Sequence, residues 1–280
     1  MNRRTLRRPL TALTLAVTVL ASALLAGCGT GVDPDPAAPR TESAPTLPDA
    51  NRLAVDLGFF AGGAEAAKTA GHANFVNAYL RAVLVGAMTD LVLAPPVAAF
   101  ALAVDTVPSR QDDGSWIWVY TFVDGDQEAQ VRLRGLAGHD ALGDRVDWQM
   151  RVTLHDAHHD LDRALWFDGT TRRDGDEGAW TFYDLDQPDA PAAAVLAWSH
   201  TAARDELHLE ALRGADAGDA LTFSVAGPAH RIDFSDGGSD LEWFIRWDAG
   251  DGTGSLQVPD YNGGREACWD AQQYDVECGS

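Results

Sequence analysis

The chain has 280 residues and a formal net charge of −21, from 42 acidic against 21 basic side chains. So acidic a body is repelled by nucleic acid and by anionic membrane surfaces, which argues against nucleic-acid binding. Lysine occurs once, at Lys68, after Ala66-Ala67 and not after a glycine-rich loop. That rules out nucleotide hydrolysis of the P-loop type and leaves Schiff-base chemistry a single candidate.

At the N-terminus Arg3, Arg4, Arg7 and Arg8 precede an uncharged apolar run from Leu10 to Ala26. A positive flank, an apolar stretch and small residues before a cut form the layout of an export signal. The following Leu24-Leu25-Ala26-Gly27-Cys28 resembles the lipobox of bacterial lipoproteins. This resemblance spans residues 1–28 only. It implies that residues 1–27 are a cleaved signal peptide and that the Cys28 thiol carries a lipid and opens the mature chain. It further implies a place in the cell envelope, outside the cytoplasm and anchored to a membrane. Gly29 in the second mature position, where an aspartate is absent, favours the outer membrane of a two-membrane cell. The plain alternative is an uncleaved span, since about 18 apolar residues just cross a bilayer at 1.5 Å each. The small-residue step at Ala26-Gly27 favours cleavage. Losing four arginines and no acid leaves the mature chain at −25.

Three cysteines are an odd number for an exported protein. With Cys28 assigned to lipid, Cys268 and Cys278 remain, and a disulfide closing a short C-terminal loop is expected outside the cytoplasm. Loop entropy assigns such a bridge roughly 2–3 kcal/mol. The spacing is not the CxxC of a redox catalyst.

Residues 28–51 carry Pro34, Pro36, Pro39, Pro45 and Pro48 among Gly, Ser, Thr and Asp, with no apolar period, and read as a tether. Residues 52–280 then read as one α+β domain. Leu53, Leu57 and Phe60 fall at helical spacing. His72 to Leu93 reads as one helix, Pro95-Pro96 are expected to stop it, and Val97 to Val104 to start a shorter one. The nearly all-apolar run 82–104 is expected to be a helix buried on every side, a second membrane span being disfavoured by Asp90 and the two prolines.

After Pro108 the period becomes two. Trp116, Trp118, Tyr120 and Phe122 alternate with Ile117, Val119 and Thr121, and the pattern recurs to about residue 259. Asp124-Gly125, Asp174-Gly175, Asp236-Gly237 and Asp251-Gly252 supply hairpin chemistry. The expected architecture is a large curved antiparallel meander of about eleven strands over 115–260, an open barrel or one wrapped sheet, packed on helices at 53–104. A disulfide-tied tail at 261–280 completes it.

Three features invite a site. His155-Asp156-Ala157-His158-His159-Asp160 is the densest run of metal-ligand types, and His155, His158, His159 and Asp160 are the candidate ligands for Zn²⁺. No HExxH is present, and neighbouring His158 and His159 point apart in an extended chain, so a solvated turn is the preferred reading. The acidic turns suggest Ca²⁺, but none completes a twelve-residue loop closed by glutamate. No resident cofactor is expected. Nine tryptophans suggest either a sheet core or a stacking platform, and Trp269, inside the Cys268–Cys278 loop, is expected to be the exposed one. No GxSxG occurs, so catalysis is not favoured. The leading expectation is a non-enzymatic envelope protein that binds another envelope protein or serves structure. Its rivals are a carrier of an apolar, lipid-like ligand between sheet and helices, and a secreted hydrolase. A curved sheet closed by helices also looks like the periplasmic carriers that sort lipoproteins, with which this chain shares no motif.

Overall fold

A computed structural model describes residues 43–49, 53, 55–124, 127–140, 143–156, 159–239 and 241–279. Cys28 and the signal segment therefore lie outside the described residues. A turn of 3-10 helix at Gly58–Gly62 leads into α1 (Gly63–Ala66) and then the long α2 (Ala73–Val104). Among the described residues the remainder is one open antiparallel sheet of fourteen strands in which every strand pairs with its sequence neighbours. In chain order these are β1 (Ser109–Arg110), β2 (Trp116–Asp124), β3 (Gln127–Asp140), β4 (Gly143–His155) and β5 (Asp160–Arg172). There follow β6 (Glu177–Phe182), β7 (Ala194–His200), β8 (Asp205–Ala211), β9 (Ala220–Ala226) and β10 (Ala229–Ser235). The series closes with β11 (Glu242–Asp248), β12 (Gly254–Gln257), β13 (Ala267–Trp269) and β14 (Asp275–Val276). The α+β meander on N-terminal helices is thus as expected, with three short strands more than the alternation showed. Two of the three, β13 and β14, lie in the tail at 261–280, which extends the sheet.

The alternation sorts side chains by face. Trp118, Leu133, Trp148, Met150, Phe167, Trp180, Leu196, Ile232, Ile245 and Leu256 are buried toward α2. A repeated device makes room for the indoles. Trp148 stands opposite Gly135, Trp180 opposite Gly169, Trp198 opposite Gly178 and Trp269 opposite Gly254 in adjacent strands. A Cβ at Gly178 or Gly254 would fall inside the facing indole, and one at Gly169 would strike the Ala179 carbonyl. Each large ring thus covers a residue that lacks a side chain, and the covered glycine lets the sheet bend. A bulge in the β4–β5 ladder adds curvature where Arg163 adopts φ 52°. There the Arg163 N–H donates to Thr153 Oγ1 at 3.1 Å, and Arg151 Nη1 donates to the Arg163 carbonyl at 2.9 Å.

α2 crosses the concave face and is anchored near both ends. Phe75 meets Trp269 at 5.7 Å and Phe60 at 5.7 Å between ring centroids. Phe100 meets Trp148, Phe167 and Trp180 at 5.8, 5.6 and 5.2 Å. Two expectations for this segment are corrected. The helix does not stop at Pro95-Pro96 but runs through them. The prolines remove two backbone donors, and each costs roughly 3 kcal/mol in a helix interior; burial of Leu93 on one side of them and Phe100 and Ala103 on the other holds both halves on the same sheet. Nor is the helix buried all round. Phe75, Ala78, Ala82, Val85, Thr89 and Leu93 are buried, whereas Leu80, Val83, Leu84, Leu102 and Val104 are exposed. A single concave sheet can cover one side of a rod and no more. Among the described residues no helix is long and apolar enough to cross a membrane.

The expected tether is also shortened. Ala44 and Leu47 pack against the core and Pro48 is buried, so residues 43–49 belong to the body.

Candidate binding groove

The His-rich turn does not gather its ligands. His155 Nδ1 pairs with Asp160 Oδ1 across the β4–β5 hairpin at 2.8 Å, both side chains well exposed. His159 is spanned on both ring nitrogens, with Asp156 at 3.1 Å on Nδ1 and Asp186 at 3.0 Å on Nε2. Hydrogen bonds from Asp156 and then Asp186 hold its pKa above the ordinary imidazole value. Neither nitrogen is left over for a metal or to act as a base. His158 lies outside the described residues. Among the described residues one gathering of three ligand types occurs, at Glu266, Cys268 and Cys278, and its two sulfurs are bonded to each other.

In the acidic turns the carboxylates serve the backbone. Asp248 Oδ1 accepts from the N–H groups of Gly250 and Asp251 at 2.8 and 3.1 Å, and Asp236 Oδ1 from those of Gly238 and Ser239 at 2.8 and 3.0 Å. These are Asx turns closing hairpins.

The Cys268–Cys278 disulfide is present as expected, and a bonded pair of this kind points to an oxidising, extracytoplasmic setting. Trp269 corrects the expectation of an exposed platform. Because the tail joins the sheet as β13, Trp269 faces inward over Gly254, is 1% exposed and packs on Phe75. Trp118, Trp148, Trp180, Trp198 and Trp247 are buried too, so most of the tryptophans build the core.

What the bridge does instead is hold a clamp on α2. The helix has no acid in its first turn and no side-chain cap of its own. Asp275 of β14 supplies one from the far end of the chain, accepting from the Asn74 N–H at 2.8 Å and the Ala73 N–H at 3.1 Å. Asn74 Nδ2 donates to the Cys268 carbonyl at 2.7 Å, and the Tyr261 hydroxyl donates to Asn74 Oδ1 at 2.6 Å. His72 stacks on Tyr274 at 4.3 Å, and Arg81 pairs with Asp260 at 2.6 Å.

Beside that clamp the interior is incompletely filled. A cavity of about 370 Å³ lies between α2 and strands β7 to β11. One wall is a cross-strand row of Leu209, Leu221, Phe234 and Trp243, neighbours in four successive strands. Phe234 and Trp243 stack at 5.1 Å and 21°. The other wall is Leu84 and Val85 of α2. The floor is small because Ala194 of β7 faces Ala211 of β8, two methyl groups where neighbouring rows place Leu or Trp. Charge is confined to Arg81, Asp216 and Asp219. No one of these residues was singled out by sequence. Two alanines in the inward phase of adjacent strands were the available signal, legible only once their pairing is known.

A second groove, of about 530 Å³, runs over the convex face of β8 to β12. Its polar groups satisfy one another: Arg231 forks onto Asp233 at 2.7 and 2.6 Å and lies over Phe244, and His208 Nδ1 bonds Thr222 at 3.0 Å. The concave groove is the more apolar of the two, and of its charged residues Arg81 is paired with Asp260 while Asp219 accepts from the Gly237 N–H at 2.9 Å. No protein family, curated protein or solved structure matches the chain.

Proposed function

We propose that this is a lipid-anchored extracytoplasmic binding protein whose concave groove takes an apolar chain. The observation that carries this reading is the cavity between α2 and β7–β11, left open by the alanine pair in a core otherwise packed with aromatic rings. Its size falls within the roughly 300–1,000 Å³ of small-molecule sites. Its walls are aliphatic and aromatic, with charge only at Arg81, Asp216 and Asp219, which suits a hydrocarbon body with a polar head. Each methylene buried there contributes about 0.8 kcal/mol. The anchor is proposed on the residues before Cys28, and the disulfide fits the compartment to which they would deliver the body.

The test is native mass spectrometry of the full chain released from membranes, followed by solvent extraction. Bound acyl-chain lipid is expected, lost when Ala211→Phe fills the groove while the fold is kept. A protein that carries no lipid and binds no fluorescent acyl probe would remove the reading. The intact mass of the mature chain reports Cys28 separately: an unmodified thiol removes the anchor and leaves the groove untouched.

A further inference from the structure

The three charged residues that line the concave groove are not equivalent. Arg81 Nη2 is held by Asp260 at 2.6 Å, and Arg81 Nη1 donates to the Asn77 carbonyl at 3.2 Å and to Asn77 Oδ1 at 3.1 Å. Its side chain is 18% exposed, so this cation is answered within the chain. Arg213, in the connection between β8 and β9, is likewise paired with Asp184 at 2.7 Å. The two acids of that same connection are not matched in this way. Among the described residues the Asp216 carboxylate makes no hydrogen bond or ion pair, and Asp219 is bonded at Oδ1 by the Gly237 N–H, a neutral donor, at 2.9 Å.

We propose that the groove selects amphiphiles with a cationic head, of the alkylammonium class, over those with a carboxylate or phosphate head; this rests on the apolar-chain reading above. The backbone sets the two acids beside the groove floor. Ala211, the floor residue, donates its N–H to the Asp219 carbonyl at 2.9 Å, and its own carbonyl accepts from the Gly218 N–H at 2.7 Å. Gly218 adopts φ 90° and lies so close to Gly237 that a Cβ on Gly237 would overlap its backbone. The connection is therefore pinned to the hairpin between β10 and β11. A tail lying along Leu84, Val85, Leu209 and Phe234 brings its head to this end. An ammonium there meets two formal negative charges that no cation of the chain matches. A carboxylate meets the same two as repulsion, and Arg81 offers it a charge that Asp260 already offsets. The net charge of −21 over the whole chain acts in the same sense, so the test separates the local pair from the general field.

The full chain is loaded with an uncharged fluorescent alkyl amide, which is then displaced by competitors of one tail length below their micelle concentrations: dodecyltrimethylammonium, dodecanoate and the neutral dodecyl maltoside. The ammonium should displace the probe at about one-fifth of the concentration that the carboxylate needs, as for two charges facing solvent, and added salt should narrow the gap. Asp216→Asn with Asp219→Asn keeps an acceptor for the Gly237 N–H and should bring the two heads within about twofold, with the maltoside unmoved. Asp162→Asn with Asp189→Asn, at two exposed acids that do not line the groove, removes the same charge and should keep the preference. Equal displacement by both heads in the unaltered chain, or a preference lost as fully in the second pair as in the first, overturns the proposal. Should the groove pair lower the unfolding midpoint, Asp216→Asn alone is read in its place. It should roughly halve the preference, and no change there is equally fatal. A chain that binds no probe, or whose binding survives Ala211→Phe unaltered, removes the groove itself and not only its choice of head.

Discussion

The two ends of α2 are held in opposite ways. Its N-terminus is bolted by side chains from the last twenty residues of the chain: Asp275 caps it, Asn74 bonds the Cys268 carbonyl, and His72 rests on Tyr274. Its C-terminus is closed by groups of its own last turn, the Asp105 and Thr106 N–H groups donating to the Ala103 carbonyl and the Thr106 hydroxyl to the Leu102 carbonyl at 3.2 Å, and it runs out into exposed Val104 and Val107. Both halves nevertheless carry one aromatic wedge into the sheet. The lesson is that apolar burial places the helix along its whole length, while polar clamping is spent where the open sheet ends and cannot itself supply a wall.

That contrast is open to breaking, beginning with the wedges. Phe100→Ala and Phe75→Ala should each cost about 3–5 kcal/mol, as for fully buried rings, and both should lower the midpoint of denaturant unfolding. If burial rather than capping sets the position of α2, the two losses will be alike despite the clamp at one end only. Overpacking a glycine under an indole, as in Gly178→Ala, should cost about 1–3 kcal/mol because the Trp198 ring cannot leave its row.

The clamp comes next. Paired Cys268→Ser and Cys278→Ser should cost roughly 2–3 kcal/mol by loop entropy. Amide exchange should then quicken at residues 73–76 and stay unchanged around Phe100, which separates loss of the clamp from general loosening. Asp275→Ala removes the cap and should cost about 1 kcal/mol, with the same local signature. At the free end Val107→Asp should move stability by no more than about 0.5 kcal/mol, since the residue touches little in the folded state. A large effect at Val107 on thermal unfolding would show that this end has a partner within the chain after all.

Much of the fold was legible beforehand for a simple reason. Strict alternation from Trp116 onward sorts residues to two faces at short range, and Asp-Gly pairs mark reversals, so a one-sided antiparallel sheet and its need for an apolar cover follow locally. The parity of the cysteines likewise pointed to Cys268–Cys278. The site was less legible. The groove depends on Ala194 standing opposite Ala211, and the indole–glycine pairs depend on which residue faces which; register is a property of two strands, not of one. Trp269 was misplaced because a disulfide loop suggests exposure, whereas strand pairing turned the ring inward. That the disulfide-tied tail also caps α2 is not legible in the sequence, because a cap supplied across some two hundred residues leaves no local trace.

By itself the sequence determined what the body had to be: an acidic chain with an apolar helical stretch, then a long ribbon with one greasy face. Local periodicity and covalent chemistry carry that much. Tertiary structure alone decided that the helix continues through Pro95-Pro96, that one side of it stays bare, and that a groove opens beside Leu84. Those outcomes depend on how far one curved sheet reaches around one rod, and that reach is set by the summed registers of fourteen strands.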